Sequence, residues 1–186
     1  MSESAITQAV RGWLEVMVVG ENLCPFAARP MNQGLVRLAE CKADDADGIY
    51  RCVLAEIDRL LNAPAEQLET TVVIVAQGLE VFEDYLDMLA ALQDALEQLH
   101  LDGVLQIASF HPDYVFEGTT DDDVTNYTNR SPYPLFHLIR EESLTKALKH
   151  VPEPEKIPIR NQQRMRELGR SGIEQLLRRA IPRRQD

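Results

Sequence analysis

At 186 residues, with 45% apolar and 26% charged side chains, the chain has the composition of one globular domain long enough to bury a real core, and nothing in it indicates disorder or a fibrous repeat. A formal charge of −11 argues against general nucleic-acid binding, which needs a basic surface to displace counterions. Three cysteines without CxxC spacing (Cys24, Cys41, Cys52) argue against a disulfide framework or zinc ribbon, and no apolar run approaches the roughly 20 residues of a membrane span. The opening MSESAITQAV has no basic stretch leading into a long apolar run, so no signal peptide is expected, and a cytoplasmic protein without membrane association is the default.

In chain order, Ser4 to Val18 reads as a helix: Ile6, Val10, Trp13, Leu14 and Met17 share one stripe at 3.6-residue period, with Ser4 as N-cap. Gly20 and the GENLCP run end it. Leu35 to Cys41 alternates as a half-buried strand does. A second helix opens near Asp44–Asp47, with Ile49, Val53, Ile57, Leu60 and Leu61 inward and Pro64 after its end. Thr70 to Ala76, β-branched and almost wholly apolar, is a central strand covered on both sides. A long helix from about Val81 to His100 precedes an Asp102-Gly103 turn and a strand from Val104 to Phe110.

From His111 to Pro134 no period is visible. Connections of that length in a compact domain are functional or disordered, and the aromatic and proline residues here favour an ordered one. Leu135 to Arg140 is expected to be a fourth strand, then a helix with Leu144, Ala147 and Leu148, then the proline-rich hinge VPEPEKIP. Two basic helical segments broken near Gly169 and Gly172 close the chain. The fold class is therefore α/β: a single domain with a four-stranded mixed sheet, in β-α-β-α-β-β-α order, packed by helices, with crossovers that make part of the sheet parallel. Residues 1–151 form the body, and residues 152–186 form the hinge and a basic arm. From Lys156 onward nine Lys/Arg face three acids, a local +6 that leaves −17 on the remaining 155 residues. Such an arm folds back on the acidic body or onto a second copy, which makes a homo-oligomer possible.

GxGxxG, Walker, GxSxG, HExxH and EF-hand signatures are all missing, so no cofactor is assigned. What remains is a set of polar residues around the long connection. His111 directly follows a strand, where open α/β sheets bind ligands, and near neutral pH it can act as acid or base with Asp113 orienting it. The competing reading is a histidine bonded to backbone in a proline turn. Cys24, in ENLCPF, is a candidate nucleophile if a base or cation lies beside it, and otherwise a small buried apolar residue. Asn126, Asn129, Arg130, Ser131 and Tyr133, continuing to His137 and Arg140, offer donors suited to a small anionic molecule, or else bond their own loop. On a strand His137 and Arg140 point to opposite faces; on a helix they converge. The run Asp121–Asp123 is an acidic loop tip rather than a metal site, and no metal is assigned.

At NLCPFA, ASFHPDYVFEGT and NRSPYPLFHLIRE the chain resembles the bacterial family catalogued as domain of unknown function 1415, over about residues 5 to 180. The resemblance implies a small stand-alone bacterial protein and carries no reaction, substrate or catalytic set. Function is thus expected from chemistry alone. The first reading is a small cytoplasmic enzyme acting on an anionic substrate, with His111 as acid/base and Cys24 as nucleophile. The alternative is a non-catalytic small-ligand-binding or protein-interaction module.

Overall fold

The α-helical, apolar-striped start of the chain sets up one face of the molecule. In the computed structural model, which describes residues 3–149 and 151–180, helix α1 runs Ala5–Trp13 with the Ser4 hydroxyl accepting from the Thr7 amide. It continues as a π-helical stretch, Leu14–Val19, closed by bonds such as Gly20 N–H to Glu15 O (3.0 Å). A short helix α2, Ala28–Asn32, follows the cysteine loop. Then come β1 (Val36–Cys41), α3 (Ala46–Asn62, capped by Asp45), β2 (Thr70–Val75), α4 (Phe82–Gln98) and β3 (Leu105–Phe110). After the long connection, which holds only a 3-10 turn at Val124–Thr128, come β4 (Leu135–Arg140), α5 (Glu141–Leu148) and α6 (Ile157–Ala180). Gly169 breaks α6 with a positive φ of 61°, a conformation costly for other residues. The end of the expected arm, residues 181–186, lies outside the described residues.

The strands form one mixed sheet in the order β1-β2-β4-β3. β1 pairs parallel with β2, whereas β4 is antiparallel to both neighbours, Val72 facing His137 on one side and Ala108 facing it on the other. The three strands β1, β2 and β3 thus share a direction, and β4 inserts between the last two. This places their carboxyl ends, and the start of β4, on one edge.

Alternation along the strands feeds two cores. On one face Val73, Val75, Phe136 and Leu138 pack against Ile49, Val53, Ile57 and Leu60 of α3 and Tyr85, Met88 and Leu92 of α4. On the other, Val72, Ile74 and Leu135 pack against Val10, Trp13 and Met17 and against Met165 and Ile173 of α6. Each such fully buried side chain contributes about 1.5–3 kcal/mol. The end of α6 is so close to α1 that a Cβ on Gly12 would fall 1.9 Å from the Ala180 carbonyl oxygen, so only glycine fits there. Among the described residues, no helix is long and apolar enough to cross a membrane.

Candidate functional site

The connection from His111 to Pro134 is ordered by its own side chains. His111 is fully buried, its ring 5.2 Å from the rings of both Phe82 and Tyr85 on α4. Its Nδ1 accepts from the Asp113 amide at 3.0 Å, which requires the proton to sit on Nε2, and Nε2 donates to the Leu79 carbonyl at 2.9 Å. Burial pushes its pKa below the ordinary value and keeps the ring neutral. Both nitrogens are therefore taken by backbone, and Asp113 serves through its amide. Asn126, also fully buried, accepts from the Phe116 amide (3.1 Å) and the Thr119 hydroxyl (2.9 Å) and donates to the Thr120 carbonyl (2.8 Å).

Neighbouring residues behave in the same way. Asn129 donates to Ser109 O (3.0 Å), and the Ser131 hydroxyl to Tyr133 O (2.6 Å). Arg130 donates to Tyr114 O (3.0 Å) and to the Asp121 carboxylate (2.7 Å), with its guanidinium 5.1 Å above the Tyr127 ring. Asp122 accepts from the Thr120 hydroxyl (2.6 Å) and Asp123 caps the 3-10 turn, so the three aspartates have separate partners. Tyr133 packs into the second core.

Since Leu135–Arg140 is a strand, His137 and Arg140 diverge. Arg140 lies toward α3, where its guanidinium donates to the carbonyls of Leu60, Ala63 (2.6 Å) and Leu68 (3.3 Å), groups that the end of a helix and the following loop leave unpaired. His137 points the other way. His111 packs against α4 on one face, while Cys24 and His137 lie on the opposite face, and the pocket that Cys24 lines includes neither His111 nor Arg130.

Cys24 and His137 instead line one cavity of about 200 Å³, between the sheet, the α1 and π-helical segment, the cysteine loop and α5. Its wall is almost wholly apolar: Leu14, Val18, Met31, Val72, Phe110 and Leu144 are representative. Small side chains leave the space. Ala108 lies on β3 beside His137, and Ser143 and Ala147 lie on α5. No residue of α5 is fully buried, because its apolar side faces the hollow rather than a packed core. A second, more polar hollow of about 510 Å³ adjoins it, since Glu69, Ser143 and Ala147 line both, and carries Arg29, Gln33 and Lys146.

Few polar groups reach the inner cavity. Thr70 donates its hydroxyl proton to Leu138 O (2.6 Å), so its contact with His137 Nε2 (2.7 Å) has the imidazole as donor. The His137 proton is therefore on Nε2, and Nδ1, an acceptor, has no partner among the described residues. Burial pushes the His137 pKa down to about 4, which keeps the ring neutral near pH 7. Burial likewise pushes the Cys24 pKa up, with the amides of Phe26 and Ala27 opposing it, and the sulfur remains a thiol. Glu69, on the wall, is paired with Arg29. Trp13 is 1% exposed, and its indole N–H has no partner among the described residues.

The sequence pattern does not mark Trp13, Thr70, Ala108 or Ser143, because each reads as an ordinary core or helix residue. The available signals are an indole, which needs a hydrogen-bond acceptor, inside an apolar stripe, and an alanine in a strand of larger residues. A search of curated proteins gives no match to this chain, and a search of solved structures gives none. The model of one family, described as protein of unknown function (DUF1415), matches residues 5–175, and the chain belongs to that family.

Proposed function

We propose that this protein binds a small, largely apolar molecule in the cavity shared by Cys24 and His137. The observation that carries the proposal is the cavity itself. Protein interiors pack to crystal density with few voids larger than a water molecule, whereas here an apolar pocket of about 200 Å³, partly open to the surface, is left between the sheet and α5. A cavity of roughly 150 Å³ lined by aliphatic and aromatic side chains is enough to take up benzene. The adjoining polar hollow at Arg29 and Lys146 offers a way in, and α5, without a fully buried residue, is the element that can yield.

Binding without chemistry is the reading these groups favour. A general base needs a free lone pair and a pKa near neutral. Both nitrogens of His111 are occupied by the protein backbone, and the pKa of His137, whose Nδ1 has no partner among the described residues, is pushed down by burial to about 4. A nucleophilic cysteine needs a depressed pKa, and that of Cys24 is raised. Calorimetric titration with toluene, used as a plain apolar probe, is expected to show saturable uptake by the wild-type chain. Ala108→Phe, which puts a ring into the hollow, is expected to abolish it while the far-ultraviolet circular dichroism is unchanged. Equal toluene binding by both proteins would place the site elsewhere and end the proposal.

A further inference from the structure

Resting on that reading, we infer that the ligand of this cavity is neutral and carries a hydroxyl group that donates to His137 Nδ1. The hydrogen-bond directions dictate the donor. Thr70 has one proton, and it goes to the Leu138 carbonyl, so His137 must give its own proton to Thr70 through Nε2. The Nδ1 lone pair is then an acceptor that nothing in the described protein satisfies, on a ring that lines the cavity. A donor on the ligand can pair with it, for a net gain of about 0.5–1.5 kcal/mol.

A phenol or short alcohol thus carries the complement to Nδ1 on an apolar body, and a hydrocarbon does not. An anion is disfavoured. It has no proton for Nδ1, the wall holds the Glu69 carboxylate, and Arg29 is already committed to Glu69. The low pKa of His137 agrees with this, since a neutral imidazole offers no charge to an anion.

The test compares three probes of similar size, p-cresol, toluene and p-toluate, by calorimetry on the full chain. Wild type is expected to bind p-cresol about tenfold more tightly than toluene, close to the net worth of one hydrogen bond, and p-toluate more weakly than toluene. In His137→Phe the advantage of p-cresol over toluene is expected to vanish while toluene binding persists. Because that variant also loses the bond to Thr70, a measurement on wild type stands beside it: the 15N resonance of His137 Nδ1 should move on adding p-cresol and stay still on adding toluene. Toluene binding with no preference for p-cresol overturns the hydroxyl assignment and leaves the proposed cavity function standing. A preference for p-toluate overturns neutrality. No binding of any probe overturns the cavity function, and this inference with it.

Discussion

Cutting the chain after Pro154 is expected to unfold it. A basic segment with a local charge of +6 is expected to fold back on the acidic body or onto a second copy, and in the structure it completes an apolar core of this chain. Met165 and Ile173 of α6 are fully buried and belong to the cluster that contains Val10, Trp13, Met17 and Ile74. Arg164 pairs with Glu21 at 2.8 Å, and Asn161 donates to the Leu23 carbonyl at 2.6 Å, so α6 also holds the loop that leads to Cys24. Truncation exposes this apolar face of the sheet and α1 together. Single substitutions grade the effect: Met165→Ala and Ile173→Ala should each cost about 2–5 kcal/mol, the usual range for emptying a packed core site. Against net stabilities of about 5–15 kcal/mol, losing the whole helix exceeds what the rest can supply. Urea denaturation of the two point variants and circular dichroism of the truncated chain measure this. A truncated chain with a native spectrum and a cooperative melt would show that α6 is dispensable to the fold.

The second large effect is a loss of stability on acidification that traces to His137. In the unfolded chain its imidazole takes up a proton near pH 6.5, whereas in the fold burial delays protonation until about pH 4. Between those values the unfolded state binds more protons, so stability falls as pH falls. The contribution is fully present above about 6.5 and is lost progressively down to about 4, amounting to roughly 3 kcal/mol. His111, whose pKa is also lowered by burial, acts in the same direction. His137→Gln should remove the His137 share, so that its denaturation midpoints vary less between pH 7 and pH 4 than those of wild type. Parallel curves for the two proteins would mean that His137 titrates normally in the fold and is open to water.

Much of the fold was legible because its signals are local. The run TTVVIV has one physical use, a strand covered on both faces, and β2 is buried along its whole length. The stripe through Val10, Trp13, Leu14 and Met17 likewise allows only a helix lying on a core. The helix-or-strand question at Leu135–Arg140 could not be settled locally. What decides it is a slot between β2 and β3, which the 24 residues from His111 to Pro134 are long enough to let the chain re-enter in reverse.

The site was less legible for a related reason. Polar residues in an aperiodic stretch attract attention, but Asn126, Arg130 and His111 spend their hydrogen bonds on that stretch's own backbone. A cavity is built from the opposite material, small and apolar residues on several elements. Ala108, Ser143 and Ala147 acquire meaning only when β3 and α5 are brought to the same face. Cys24 and His137, singled out for their chemistry, do meet there, in surroundings that keep one as a thiol and the other as a neutral acceptor.

The measurement that bears most directly on the cavity is a crystal structure of the wild-type protein under xenon pressure. Xenon is apolar and takes up dry, preformed space without help from hydrogen bonds. An ordered site is predicted between Trp13, Val72, Ala108 and Leu144, with His137 on its wall. An empty or collapsed hollow there, with α5 packed down on the sheet, would contradict the account.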